Sequence, residues 1–111
     1  MDEVDACAAL APLHNPANAL GIRFARDTWG DVPHVVVPDT AFHTSSMAPE
    51  SYRYALPKQL YDDHGIRRYG FHGTSYAYVT KQLAAALGKP VAAVNAIVCH
   101  LGSGASMCCV E

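Results

Sequence analysis

Two short runs that combine histidine with small residues are the parts of this sequence best suited to chemistry. They are residues 71–75, FHGTS, and residues 100–106, HLGSGAS. Glycine lets a backbone come close to a ligand, and a strand that turns on Gly-Ser-Gly exposes N–H groups in a concave loop that suits phosphate oxygens. The second run follows the apolar stretch 96–99, which is typical of a strand. These runs indicate phosphoryl chemistry.

The second run has two interpretations. The candidate phosphate-binding residues are His100, Leu101, Gly102, Ser103 and Gly104. The alternative is an ordinary hairpin whose glycines take left-handed positions. The loop is not a Walker loop, because no lysine follows its last glycine, and it lacks the GxGxxG spacing of dinucleotide sites. The residues alone leave both interpretations open.

Asp39 and His72 are the candidate catalytic residues. His72 lies just before a predicted helix, where free N–H groups and the helix dipole favour an anion. It either donates a hydrogen bond to a phosphoryl oxygen or simply closes the turn. Asp39 follows a predicted strand, and functional groups of α/β proteins gather at the carboxyl ends of strands. Its alternative is an Asx-turn, in which the carboxylate bonds nearby backbone N–H groups.

The remaining arginine and histidine side chains are weaker candidates for a functional site. Arg67 and Arg68 can clamp an anion, but on a strand they point to opposite faces, and such arginines usually end in surface ion pairs. The other histidines have no ligand spacing, so we expect structural roles for them and no metal site within the sequence. They are His14, His34, His43 and His64.

Composition limits the class of protein. The 111 residues carry a formal charge of −2 and are 50% hydrophobic and 16% charged, which is typical of a globular domain or part of one. We expect no nucleic-acid partner, because the chain is not basic, and no membrane partner, because no apolar stretch reaches about 20 residues. The acidic start argues against a secretory signal. The 4 cysteines lack zinc-site spacing, so we expect buried thiols in a reducing compartment.

Helices and strands alternate along the sequence, so the predicted class is α/β or α+β. Asn15 and either Thr74 or Ser75 are the predicted caps of the two longest helices. We predict helices ending near residue 10 and over 16–29, 57–64 and 74–87, a loop over 40–51, and strands over 34–37, 66–71, 96–100 and 105–110. Because the last strand ends with the chain, we expect a piece of something longer.

Five blocks in a fixed order make the sequence recognisable. They are residues 10–18 (LAPLHNPAN), 39–43 (DTAFH), 54–57 (YALP), 65–75 (GIRRYGFHGTS) and 100–106 (HLGSGAS). In order and approximate spacing they resemble the acetokinase family, the acetate kinases. The resemblance covers nearly the whole chain from Leu10 onward, and five blocks in order are highly specific.

The resemblance implies a fold and an activity. Acetate kinases transfer the γ-phosphoryl group of ATP to acetate with Mg²⁺, reversibly, to give acetyl phosphate and ADP, and they act as homodimers. Their two-domain fold is shared by sugar kinases, actin and the Hsp70 ATPase. By this resemblance the chain is an α/β fragment of that fold. Residues 1–43 are expected to end the first domain, and residues 44–111 to begin the second, nucleotide-binding domain.

The resemblance also implies residue roles. Asp39 in DTAFH is then a catalytic acid–base or positioning group, and His72 in FHGTS stabilises the transferring phosphoryl group. Residues 100–104 then contact the ATP phosphates. These roles suit phosphoryl transfer, which depends mainly on positioning and charge stabilisation. Two residues depart from the family pattern: Tyr76 stands where many members have histidine, and Ser103 replaces asparagine.

Several parts of the family's site have no counterpart in these residues. They are the metal-linked asparagine and glutamate, two arginines that bind substrate and phosphoryl group, and the adenosine-binding segments. We therefore expect an inactive fragment of a cytoplasmic enzyme, or of an organellar one in a eukaryote. Two alternatives stay open: a propionate or butyrate kinase of the same family, and a non-catalytic truncated paralogue that acts as an interaction protein.

Overall fold

The computed structural model describes residues 1–44 and 47–111. It divides into two compact units, Met1–Val36 and Val37–Glu111. The helices are α1 (Asp2–Ala6), α2 (Asn15–Thr28), α3 (Ala41–Thr44), α4 (Pro49–Tyr52), α5 (Lys58–His64) and α6 (Gly73–Leu87), and the strands are β1 (Ala96–Leu101) and β2 (Ala105–Val110). Short 3₁₀ turns cover Cys7–Ala9 and Val91–Ala93. Across the described ranges, no helix has both the length and the apolar character needed to cross a bilayer.

The first unit is built on the long helix α2. Pro16 lies in its first turn, where the missing N–H costs nothing. The predicted cap is wrong: His14 is the N-cap residue, and the Asn15 amide instead donates to the Val4 carbonyl of α1. The helix ends at Thr28, and the Trp29 N–H donates to Ala25 O at 2.9 Å. The predicted helix is therefore confirmed, with a different N-terminal contact.

Two predicted strands are absent from the structure. Residues 34–37 have no regular secondary structure, and Val35 is 84% exposed. Residues 66–71 are irregular, and Gly70 has a φ of 78°. A strand needs a neighbour to receive its N–H and C=O groups, and within the described residues the sheet consists of β1 and β2. The β-branched and alternating runs were therefore not sufficient to make strands.

The second unit packs α6 against a β-hairpin. Strands β1 and β2 are antiparallel, with Ala96 opposite Val110 and Leu101 opposite Ala105, which confirms both predicted strands. Alternate residues of each strand face inward or outward. The core between helix and hairpin consists of Tyr76, Thr80, Ala84, Val94 and Val98. The three helical members are spaced four residues apart, so they share one face of α6.

The segment 40–51 was predicted as a loop, and this is wrong in part. It contains the short helices α3 and α4, while Ser45 and Ser46 lie outside the described residues. Pro49 lies in the first turn of α4 and the preceding Ala48 is extended, as the ring of proline requires. A four-residue helix has too little hydrophobic periodicity to be recognised in a sequence.

The predicted burial of the cysteines is also wrong. Cys7, Cys99 and Cys109 are exposed and Cys108 is half-buried, all as free thiols. The hairpin has one face against α6, and Cys99 and Cys109 lie on the other face, so a strand-like sequence did not imply burial. Burial raises the pKa of the Cys108 thiol, and the neighbouring Cys109 adds to the rise.

Candidate functional site

The N-terminus of α6 is joined to the turn at Asp39. The backbone N–H of His72 donates to Asp39 Oδ2 at 2.6 Å, and the N–H of Gly73 donates to Asp39 O at 2.9 Å. These two bonds satisfy N–H groups that a helix start leaves unpaired. The alternative of an Asx-turn is therefore not what the structure shows; the Asp39 carboxylate accepts a hydrogen bond from a residue 33 positions along the chain.

This junction requires glycine at position 73. A Cβ atom built there would lie 2.3 Å from Asp39 O and 3.0 Å from Phe42 Cβ. The Asp39 backbone can therefore approach the helix only because Gly73 has no side chain. The glycine of FHGTS has a close-approach role, and its partner is protein backbone.

His72 has an unusual backbone conformation. It is the N-cap of α6 with a φ of 57° and a ψ of 27°, in the left-handed region. The predicted cap, either Thr74 or Ser75, is therefore wrong. Among the non-glycine residues that the structure describes, His72 is the one with a positive φ. A non-glycine residue there costs on the order of 1–3 kcal/mol, and such strain concentrates at functional sites. The Asp39 carboxylate helps to hold this conformation through the His72 N–H.

The His72 side chain points to the hairpin. Its Nδ1 lies 2.7 Å from Ser106 Oγ on β2, and the same hydroxyl lies 2.5 Å from Tyr76 Oη on α6. His100 on β1 has a parallel arrangement, with Nδ1 at 3.0 Å from Ser75 Oγ. The two imidazole rings stack with centroids 4.1 Å apart and planes 18° apart. Both rings are therefore anchored at Nδ1 by a serine hydroxyl.

The other edge of each ring faces the loop between the strands. A Cβ atom on Gly104 would lie 3.1 Å from His72 Nε2, and one on Gly102 would lie 2.9 Å from His100 Nε2. Both glycines therefore leave room for an imidazole edge. Neither has a left-handed φ, so the left-handed hairpin interpretation does not explain them. Glycine is needed here for space beside the two Nε2 atoms.

The remaining members of the predicted loop contribute backbone. Leu101 lies on the outward face of β1 and is 81% exposed, and Ser103 is exposed in the turn. Their side chains have no place in the ring cluster. Any contact that they make with a ligand on the side of the imidazoles therefore comes from their main-chain groups.

A cluster of aromatic rings packs around Tyr76, next to the site. The rings of Phe42 and His43 lie 6.1 Å and 5.6 Å from the buried ring of Tyr76. His43 Nε2 lies 2.9 Å from Phe71 O, next to His72 in the chain. His43 thus has the structural role expected from the sequence. The DTAFH block supplies both the carboxylate and part of this support.

Ser75, Ser106 and Tyr76 were not among the predicted site residues, although they lie in the same sequence blocks. The hairpin register places Ser106 opposite His100, which was a signal for Ser106 alone. The register does not specify its contact with His72, nor the contact of Ser75 with His100. Within the described residues, no group of three or more His, Cys, Asp or Glu side chains is arranged to hold a metal ion.

Comparison with known proteins identifies the family. The family model described as the acetokinase family matches residues 1–111. The chain belongs to the acetokinase family. Acetate kinase 1 of Vibrio parahaemolyticus is 55% identical to it over 108 residues, which are 97% of this chain and 27% of that protein. The acetate kinase of Deinococcus deserti is 51% identical over 111 residues, which are 28% of its length.

Solved structures of a propionate kinase and an acetate kinase share this fold. A propionate kinase from Francisella tularensis matches with a TM-score of 0.91 and 46% identity, over 99% of this chain and 28% of that one. The acetate kinase of Porphyromonas gingivalis matches with a TM-score of 0.89 and 42% identity, over 99% of this chain and 27% of that one. The expected family and the mixed α/β fragment of its fold are confirmed. The boundary between residues 1–43 and 44–111 stays a prediction.

Proposed function

We propose that this chain supplies one side of the phosphoryl-transfer site of an acetate kinase, a longer protein called here the full-length enzyme. That enzyme transfers the γ-phosphoryl group of ATP to the carboxylate of acetate, reversibly, to give acetyl phosphate and ADP. The observation that carries the proposal is the stack of His72 and His100, whose Nε2 edges face the glycines of one loop. The relatives named acetate kinase support the choice of reaction.

The loop 100–104 is proposed to hold the phosphates of ATP. Its glycines let the loop backbone lie close to two imidazole edges, and an imidazole nitrogen that carries a hydrogen donates a hydrogen bond to a phosphate oxygen. The exposed turn at 102–104 leaves its backbone accessible to the same ligand. The residues present therefore fit a phosphate group, and we assign the ATP contacts to His100, Leu101, Gly102, Ser103 and Gly104.

His72 is proposed to stabilise the transferring phosphoryl group. In phosphoryl transfer the charge lies on the equatorial oxygens, and a donor held at a fixed place lowers the barrier. His72 is fixed at three points: its N–H to Asp39, its Nδ1 to Ser106, and its ring against His100. Asp39 is proposed as a catalytic acid–base or positioning group, and its bond to the His72 N–H supports the positioning part.

Mg²⁺ is proposed as the metal of the full-length enzyme, where it neutralises phosphate charge when bound. The ligands are proposed to lie outside this chain. We also propose that the full-length enzyme is a cytoplasmic homodimer that binds acetate and ATP and has neither nucleic-acid nor membrane partners. Its domain boundary is proposed near His43, so that the DTAFH block ends the first domain.

The test replaces Asp39 and His72 with alanine, singly and together, in the full-length enzyme. We expect each single change to lower kcat by on the order of 10²-fold or more, as removal of one positioned donor does in other enzymes. The double variant should lose little more than the worse single variant, because residues that act as a unit are not additive. Asp27→Ala, on α2 outside the site, is the control. Full turnover of the double variant would refute the proposed site.

A propionate kinase is the second candidate, because the Francisella tularensis propionate kinase has the same fold over 99% of this chain. A hydrophobic pocket discriminates one methylene by about 1–3 kcal/mol, so acids of two to four carbons should differ measurably in kcat/KM. Turnover of acetate, propionate and butyrate by the full-length enzyme decides between them. A higher kcat/KM for propionate than for acetate would establish the second candidate.

A further inference from the structure

The hydroxyl of Ser106 connects a buried phenol to the candidate catalytic histidine. Tyr76 is 1% exposed, and Ser106 Oγ, at 2.5 Å, is the hydrogen-bond partner that the structure gives its hydroxyl. On its other side, Ser106 Oγ lies 2.7 Å from His72 Nδ1. Three polar atoms from α6 and β2 therefore form one continuous row, with the serine in the middle.

Counting hydrogens assigns a direction to this row. The phenol and the serine each carry one hydrogen, and a neutral imidazole carries one on either nitrogen. If His72 Nδ1 donates to Ser106, and Ser106 donates to Tyr76, the buried phenol hydrogen is left without the acceptor that Ser106 provides. If both neighbours donate to Ser106, the serine hydrogen is left over. Only one order uses every hydrogen within the row: Tyr76 donates to Ser106, and Ser106 donates to His72 Nδ1.

A buried hydrogen-bonding group without a partner is costly, and the Tyr76 hydroxyl is buried, so the complete order is favoured. We infer that Tyr76 and Ser106 are positioning residues that select the neutral tautomer of His72 with its hydrogen on Nε2. This inference rests on the proposed function, because it concerns the same histidine. Nε2 is the atom beside Gly104, on the loop side of the ring.

The consequence for chemistry is that His72 presents a donor, and not a lone pair, to the loop. A phosphoryl oxygen is an acceptor, so a ring with its hydrogen on Nδ1 would turn a lone pair toward it and repel it. The row thus selects the useful tautomer before any ligand arrives. Such preorganisation lowers the cost of reorientation during the reaction.

The first test observes the tautomer directly. We would label the histidines of the full-length enzyme with ¹⁵N and record long-range ¹H–¹⁵N correlations at a pH where His72 is neutral, with His72→Gln to assign its signals. We expect a protonated Nε2 and an unprotonated Nδ1. In Tyr76→Phe, which removes only the phenol oxygen, both tautomers should appear. A hydrogen on Nδ1 in the unchanged protein would overturn the inference.

The second test measures kinetics. Tyr76→Phe and Ser106→Ala should each lower kcat about tenfold while the KM for ATP changes less than about twofold, because the change acts on the transferring group and not on ground-state binding. Ser106→Thr keeps the hydroxyl and should restore most of the loss. Tyr78→Phe, an exposed tyrosine on the same helix, is the matched control and should leave kcat unchanged.

The outcomes separate the two proposals. If His72→Ala abolishes turnover but Tyr76→Phe and Ser106→Ala change neither kcat nor the tautomer, the positioning row is refuted and the proposed function stands. If His72→Ala keeps full turnover, the proposed function fails, and the tautomer measurement still decides the row. If Ser106→Ala does not fold, the tautomer and kcat of Tyr76→Phe are sufficient to test the positioning row.

Discussion

At the scale of single residues, this site depends on three glycines as much as on its histidines and its aspartate. Gly73 lets the Asp39 backbone reach the start of α6, and Gly102 and Gly104 leave room for two imidazole edges. The sequence indicated glycine-rich runs near histidine, but not which atoms would fill the space. Two of the three glycines make room for histidine rings, and the third makes room for backbone.

We predict that Gly73→Ala both destabilises the protein and removes activity. The new Cβ would lie 2.3 Å from a backbone oxygen, which a side-chain movement cannot relieve. A loss of at least about 1–3 kcal/mol in the free energy of unfolding is expected, as for other overpacked sites. Urea unfolding of the full-length enzyme measures it.

Gly21→Ala is the matched control for this prediction. Gly21 lies inside α2, and a Cβ there has nothing within 4 Å. Alanine is favoured over glycine in a helix interior by about 1 kcal/mol, so this variant should be as stable as the unchanged protein or more so. Equal stability of Gly73→Ala and Gly21→Ala would contradict the close approach.

At the scale of elements, the longer helices were predictable, whereas the short helices α3 and α4 and two of the strands were not. The helix ends of α5 and α6 are signalled by Gly65 and Gly88, and both adopt left-handed φ values of 64° and 62°. Helix hydrogen bonds are local, so a helix carries its signals within its own sequence. A strand is completed by a neighbouring strand, and within the described chain the sheet contains no strand that pairs with residues 34–37 or 66–71.

We predict that Gly88→Ala weakens the C-terminus of α6 by backbone strain alone. A Cβ at this position meets nothing within 4 Å, yet φ is 62°. The expected loss is about 1 kcal/mol in the free energy of unfolding, with activity unchanged. Urea unfolding is the measurement, and Gly88→Asn, which tolerates this conformation better, should lose less. A larger loss for asparagine than for alanine would contradict the explanation.

At the scale of the whole molecule, the hairpin has one covered face and one open face. The covered face packs on α6, whereas Ile97, Leu101 and Met107 on the other face are 74%, 81% and 76% exposed. The strands also end the described sheet on both sides, and such unpaired apolar edges promote aggregation. The chain spans about 27% of the relatives' length. We therefore expect the isolated 111-residue chain to be poorly soluble.

We predict that the 111-residue chain aggregates and has no kinase activity. Size-exclusion chromatography and an ADP-release assay measure the two properties. Met107→Lys places a charge on the open face and should raise the soluble fraction, whereas Val98→Lys, buried against α6, should lower it. A monomeric chain that melts cooperatively, or one that turns over acetate and ATP, would contradict the prediction.

Local sequence pattern was sufficient for the family, the longer helices, the hairpin and the histidines beside glycine, because helix-ending glycines, turns and motif blocks are properties of neighbouring residues. The contacts that join Asp39, His72 and Ser106 depended on the folded chain. The bond from Asp39 to the His72 N–H spans 33 residues, and the contact of His72 with Ser106 spans 34. Such contacts form only when packing of α6 on the hairpin brings distant segments together, and nothing in one segment specifies the hydrogen-bond partner in another.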